Sequence, residues 1–236
     1  LAGGGKPPQP LIQCSITLEP SDLPSNRSVS ATFTGERTSR TIWGQAQGWF
    51  SASFGPFRRF TGGDRIYDRL FVSNRRLAPH LSALGEDVAL TEALNWLTSL
   101  HIEALQDEKS GSESVSRQTL DLVTRFINES NFLPHKAKIH EVTNDAVLLK
   151  DGNHAVVSLD QLSDGYRSAL SLTLELIRQM FALHGYQAMQ KGMSPEHGQI
   201  RIPGVVAIDE VDAHLHPTWQ RDIGRWLTSK FPLIQF

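Results

Sequence analysis

Cysteine is nearly absent from this 236-residue chain, with Cys14 standing alone. One thiol excludes a disulfide framework and any multi-thiolate metal site, and it points to a reducing, cytoplasmic setting. Long apolar runs are missing too. No stretch approaches the ~20 residues that a membrane-spanning helix needs, so no membrane role is expected. A surplus of either charge is also lacking, with 23 Lys+Arg against 25 Asp+Glu and a net charge of −2. That balance gives no general electrostatic case for nucleic-acid binding and leaves only a local patch open. The opening LAGGGKPPQP lacks the basic-then-apolar layout of a secretory signal and reads as a Gly/Pro linker. An initiating Met is missing as well, which suggests a fragment of a longer protein.

What is present is globular material. A 39% hydrophobic content with 20% charged residues excludes disorder as the main state. This length can bury a core without staples. Leu11–Leu18 alternates, with Ile12, Cys14, Ile16 and Leu18 on one face, as a half-buried strand does; Cys14 is then a small core residue. Val29, Ala31 and Phe33 alternate again, and Gly48–Phe54 is a third apolar stretch stopped by Gly55-Pro56. These three predict a small antiparallel layer.

Helical spacing begins near Asp87, with Leu90, Leu94, Leu97 and Leu100 on one face. The polar DEKSGSES (Asp107–Ser114) reads as a loop, and a second helix carries Val115, Thr119, Leu122 and Phe126 before Pro134. A meander follows: Ile139–Val142, a turn at Asn144-Asp145, Val147–Leu149, a hairpin signal at Asp151-Gly152, and Ala155–Leu159. Ser163–Leu183 is the longest predicted helix. It has two apolar stripes (Leu170, Leu174, Ile177, Phe181 and Leu172, Leu176, Met180, Leu183), so it should be buried around most of its circumference. Gly185 is placed to end it, and Gln187–Gln199 reads as a loop. Val205–Ile208 has the unbroken apolar character of a central parallel strand buried on both faces. A helix over about Pro217–Ser229 and a strand from Leu233 complete the chain.

Chemistry concentrates where Val205–Ile208 runs into Asp209-Glu210. A buried strand presents its last side chains at the carboxyl edge of the sheet, where open α/β folds bind ligands. Asp209 there can hold Mg²⁺, and Glu210 can orient or deprotonate a water. The bland alternative is a strand ending in solvated acids. The second constellation is Leu162-Ser163-Asp164-Gly165-Tyr166-Arg167-Ser168 at the entrance of the long helix. A Ser N-cap, a Gly that permits close approach, and free helix-terminal amides make an anion site. Its alternative is a plain Ser/Asp cap.

Together the two segments resemble the signature motif and Walker B segment of ABC-type ATPase heads. The resemblance is nearer to the RecF-like, SMC-like "AAA family" ATPases, in which Walker B runs into DE-x-x-x-HLHP-x-WQ. This chain has Asp209-Glu210-Val211-Asp212-Ala213-His214-Leu215-His216-Pro217-Thr218-Trp219-Gln220. The stretch Gly55–Arg59 (GPFRR) stands where a Q-loop would follow a strand. The resemblance implies an α/β fold of the P-loop NTPase class, a partial ABC-ATPase-like head with an antiparallel β layer and a helical lobe. Its parts would be residues 1–74, with the β layer and GPFRR; 75–133, the helical lobe; and 134–236, with meander, signature helix, Walker B and D-loop.

It further implies ATP and Mg²⁺ as cofactors, bound between two head-to-head copies. Asp209 would serve Mg²⁺ and Glu210 the attacking water. Ser163, Asp164 and Gly165 would contact the γ-phosphate held by the opposite copy. Ala213, His214, Leu215 and His216 would form a D-loop at the dimer interface, and Arg58 and Arg59 are possible phosphate contacts. The pathway implied is DNA repair or antiviral defence, with DNA and a nuclease as partners on resemblance alone.

Departures matter. Asp164 replaces the usual second Gly of a signature, Tyr166 stands where Gln or Glu is common, and His216 replaces the usual D-loop Asp. No GxxxxGK[ST] is present: Gly3-Gly4-Gly5-Lys6 runs into Pro7-Pro8, which cannot open a phosphate-cradling helix. The H-loop histidine is absent too, so the segment alone is not expected to hydrolyse ATP. Rival functions are a non-catalytic ATPase-like interaction module and a nucleic-acid scaffold partnering a nuclease. A metallohydrolase centre on His214 and His216 with Asp209, Glu210 and Asp212 is disfavoured, because Pro217 puts the histidines in a turn. Arg58 and Arg59 are as well explained as a solvated pair, Arg167 can pair with Asp164 or a phosphate, and Trp219 and Trp226 read as core rather than a base-stacking platform.

Overall fold

A computed structural model describes residues 12–16, 29–33, 50–55, 78–80, 83, 92–112, 114–131, 133, 136–194, 198–212, 215 and 217–236. The chain forms two compact units, Leu1–Trp49 and Phe50–Phe236, so the division falls inside the expected 1–74 segment. In the first unit, β1 (Ile12–Ile16) pairs antiparallel with β2 (Val29–Phe33), and Cys14 stands opposite Ala31 in the register.

The third apolar stretch does not join that layer. β3 (Phe50–Phe54) pairs parallel with β9 (Gly204–Ile208), from Phe50↔Gly204 to Phe54↔Ile208. Alternation of period two announces a strand but carries no information on the direction of its partner. The pairing is close: a Cβ on Gly204 would lie 2.7 Å from the Phe50 carbonyl oxygen, so only glycine fits. Phe50, Ala52 and Phe54 are buried, while Ser51 and Ser53 are half-buried.

α1 (Glu92–Ser110) and α2 (Val115–Glu129) follow. The first half of DEKSGSES is helix rather than loop, since acidic residues and lysine extend an exposed helical turn at little cost. α1 stops at Gly111, whose φ of +73° is left-handed. Ser114 caps α2, its Oγ accepting from the Arg117 amide at 3.1 Å. The buried face of α2 is Thr119, Leu120, Val123, Phe126 and Ile127, and Val115 is 54% exposed, so the stripe is rotated from the expected one.

The meander forms as read: β4 (Lys138–Val142), β5 (Val147–Lys150) and β6 (Val156–Ser158), all antiparallel. Asp151 Oδ1 accepts from the amides of Asn153 and Ala155 at 2.9 Å each and shapes the hairpin.

α3 (Asp164–Gly192) is the core of the second unit. Every residue from Ser168 to Ile177 is buried, as two apolar stripes require. Each fully buried leucine there contributes roughly 1.5–3 kcal/mol relative to exposure. Buried Glu175 is neutralised inside the helix: Arg178 Nε and Nη2 donate to its two oxygens at 2.7 Å each, and Gln179 Nε2 adds a third bond at 2.7 Å. Gly185 breaks the helix (φ 75°, ψ 169°), but helix resumes to Gly192, where a loop was expected. A two-strand pair, β7 (Met193–Ser194) and β8 (Gln199–Ile200), leads on to β9.

β9 lies between β3 and β10 (Ile234–Gln235), parallel to both, with α4 (Pro217–Lys230) crossing from β9 to β10. The central, parallel strand is as expected; burial on both faces is not, because Val206 is buried while Ala207 is exposed. Its second face shares register with Ser51 and Ser53, whose hydroxyls tolerate water where an apolar layer would not.

Candidate active site

The parallel sheet brings two strand ends to one edge. At the end of β9 the Asp209 amide donates to the Phe54 carbonyl at 2.8 Å, so the ladder continues one residue beyond the strand. Asp209 and Glu210 are exposed in the turn that follows, and the backbone of Glu210 is left-handed, with φ +46°. For a non-glycine residue that conformation costs roughly 1–2 kcal/mol and concentrates at functional sites. Gly55, at the end of β3, is buried beside this edge. Arg58 and Arg59 beyond it lie outside the described residues.

Of the four residues expected to form a D-loop, Ala213, His214 and His216 lie outside the described residues. Leu215 is buried, and its amide donates to the Asp212 carbonyl at 3.1 Å, which fastens the link into α4. Among the described residues no group of three or more His, Cys, Asp or Glu could hold a metal ion by itself. No helix among them is long and apolar enough to cross a membrane.

Ser163 stands at the N-cap of α3 with extended backbone (φ −61°, ψ 152°), and its carbonyl accepts the first helical bond from the Arg167 amide at 3.0 Å. Its side chain makes no capping bond, which separates it from a plain Ser cap. Asp164 and Gly165 are the first two helical residues, whose amides have no intrahelical acceptor. Tyr166, the third, sets its ring edge-on to Trp219 of α4, with centroids 6.3 Å apart and planes at 83°. Trp219 in turn meets Trp226 at 6.1 Å and 68°. Both indoles are half-buried, closer to the core role than to an open stacking platform.

Two features were missed by the sequence reading. His80, in a short 3-10 turn (Ala78–His80), clasps one face of β3: Nε2 lies 3.1 Å from Ser51 Oγ and Nδ1 2.9 Å from Ser53 Oγ. Burial pushes its pKa below the ordinary 6.5. The Tyr166–Trp219 contact was the other, and it gives the departure at position 166 a physical reason. The only available signal was an aromatic where a polar residue is common.

Several known proteins are similar to this chain. A "Retron Ec83 probable ATPase" of Escherichia coli is 30% identical over 161 residues, 67% of this chain and 28% of that protein. A "Retron Vc95 probable ATPase" of Vibrio cholerae serotype O1 biovar El Tor is 34% identical over 92 residues, 39% of this chain and 16% of that protein. The "Septu protein PtuA" of Bacillus mycoides (strain KBAB4) is 36% identical over 78 residues, 33% of this chain and 9% of that protein. The matched segment thus spans at most 28% of the length of these curated relatives. The family described as "AAA domain, putative AbiEii toxin, Type IV TA system" matches residues 18–236, and the chain belongs to that nucleotide-binding ATPase family.

Proposed function

We propose that this chain is part of an ABC-type ATPase head, with RecF/SMC-like motifs, that binds Mg-ATP between two copies and couples hydrolysis to opening of the dimer. The observation that carries the reading is the pair Asp209 and Glu210 at the carboxyl end of a central parallel strand, with Glu210 in the left-handed region. Asp209, whose backbone the ladder anchors at the strand end, would hold the metal. Magnesium takes one or two protein carboxylates and completes its shell with water and phosphate oxygens, so this donor set fits. When bound, it neutralises charge on the nucleotide's phosphates. Glu210 orients the attacking water and accepts its proton.

Ser163, Asp164 and Gly165 act in trans on the γ-phosphate of the opposite copy, through amides at the α3 terminus and the uncapped Ser163 hydroxyl. Ala213–His216 line the dimer interface, and Arg58 and Arg59 contact phosphate. The heads close only when nucleotide bridges them, which is coupling by differential contact. The setting we infer is cytoplasmic antiviral defence or DNA repair, in line with the retron and Septu names of the relatives. DNA and a nuclease are the proposed partners.

Phosphate release by the full-length protein tests this. Glu210→Gln should lower turnover by a hundredfold or so while nucleotide still binds. Turnover at the wild-type rate would refute the assignment. Ser163→Arg should abolish ATP-driven dimerisation and spare monomer binding, and an unchanged dimer fraction would count against it.

A further inference from the structure

We propose that Tyr166 and Trp219 form a positioning pair that holds the amino end of α3 and the carboxylate-bearing turn after β9 in one fixed relation. The inference rests on the ATPase reading and names how that site is kept in register.

Tyr166 follows Gly165 directly, in the first turn of α3. Trp219 lies in the first turn of α4, immediately downstream of the segment that bears Asp209 and Glu210. That segment is held at its sheet end by the bond from the Asp209 amide to Phe54, and in its middle by buried Leu215. Its far end meets Tyr166, edge to face at 6.3 Å. Trp219 is braced from behind by Trp226, whose indole N–H donates to the Ser130 carbonyl at 3.2 Å, at the C-cap of α2. The indole is therefore fixed against the helical layer, and α3's terminus is fixed against the indole.

Both rings of the pair are half-buried, with Trp219 packed against the edge of the core, whereas Phe50, Phe54, Phe126 and Phe231 are fully buried. A leucine at 166 would keep much of the apolar contact but lose the perpendicular ring pairing with the indole. Catalytic groups displaced by about 1 Å can lose on the order of a hundredfold in rate, so a contact outside the site can control it.

The test is steady-state phosphate release by the full-length protein, with melting temperatures for each variant. Tyr166→Leu and Trp219→Leu should lower kcat by about tenfold or more with KM for ATP within about twofold. Tyr166→Phe should restore kcat, and the double Tyr166→Leu/Trp219→Leu should be no worse than either single variant. Should Tyr166→Leu fail to fold, Trp219→Phe, which shortens the ring's reach, is read in the same way. Unchanged kcat in these variants overturns the pair, and so does a loss that follows melting temperature and is not rescued by Tyr166→Phe. Loss of turnover in Glu210→Gln with wild-type turnover in Tyr166→Leu overturns the pair alone. Wild-type turnover in Glu210→Gln overturns the ATPase reading and the pair with it.

Discussion

The Asp209 amide and the Phe54 carbonyl, 2.8 Å apart, extend the β3–β9 ladder past its last register pair, Phe54↔Ile208. That bond fixes the approach of the chain to Glu210, and the next residue bends into the left-handed region at φ +46°. Backbone geometry thus brings a carboxylate-bearing residue to the sheet edge.

Removing the carboxylate separates strain from chemistry. Glu210→Gly and Glu210→Ala should both lose ATP turnover in the full-length protein. Glycine escapes the left-handed penalty but adds chain entropy, so Glu210→Gly should be more stable than Glu210→Ala by about 0.5–1 kcal/mol. Urea unfolding measures the difference, and equal midpoints would mean that the turn is not strained.

Gly204→Ala attacks the same ladder from its other end. Its Cβ would lie 2.7 Å from the Phe50 carbonyl oxygen and 3.1 Å from the Phe50 Cβ. Backbone cannot yield as a flexible side chain does, so a loss of roughly 1–3 kcal/mol is expected, with reduced nucleotide affinity as the edge shifts. Denaturation at wild-type midpoint would show that β3 and β9 are less tightly paired than described.

Within α3, Arg178→Ala removes two of the three bonds to the Glu175 carboxylate, whose side chain is only 3% exposed, and leaves the Gln179 amide at 2.7 Å. Stranding a buried charge costs about 3–5 kcal/mol, more than a surface pair would. Adding Glu175→Met should recover much of the loss, because both charges are then gone. A double variant as unstable as Arg178→Ala would sink this account.

Much of the second unit was legible because its signals are local. The two stripes of α3, the apolar run of β9 and the Asp151-Gly152 hairpin each announce themselves within a few residues. Non-local choices were not legible. Nothing in FSASF says that β3 pairs in parallel with a strand far along the chain, and the pattern of α2 predicted a helix but put Val115 on its buried face. In the candidate site, Asp209, Glu210 and Ser163 stand out in the sequence by residue type and position, and their roles remain proposals. The contacts of His80 with Ser51 and Ser53 and of Tyr166 with Trp219 join residues distant in sequence and leave no periodic trace.

Two histidines give the second unit a pH signature of definite sign. Burial lowers the pKa of His80 and of His184 below the ordinary 6.5. His184 lies against Phe50, with ring centroids 6.4 Å apart, and its Nε2 is buried with no hydrogen-bond partner among the described residues. Both rings therefore stay neutral in the folded protein at pH values where the unfolded chain already binds protons. Stability rises with pH wherever the unfolded state holds more protons. It should be fully present above 6.5 and fall as pH drops through the lowered folded values. His184→Leu should flatten part of that slope without loss at pH near 7.5, since it removes an unsatisfied polar atom. His80→Leu should flatten another part but cost about 1–2 kcal/mol at pH near 7.5, because its bonds to Ser51 and Ser53 are lost. Urea unfolding from about pH 5 to 8 reads both effects. An unaltered slope in the double variant would assign the pH dependence to other groups.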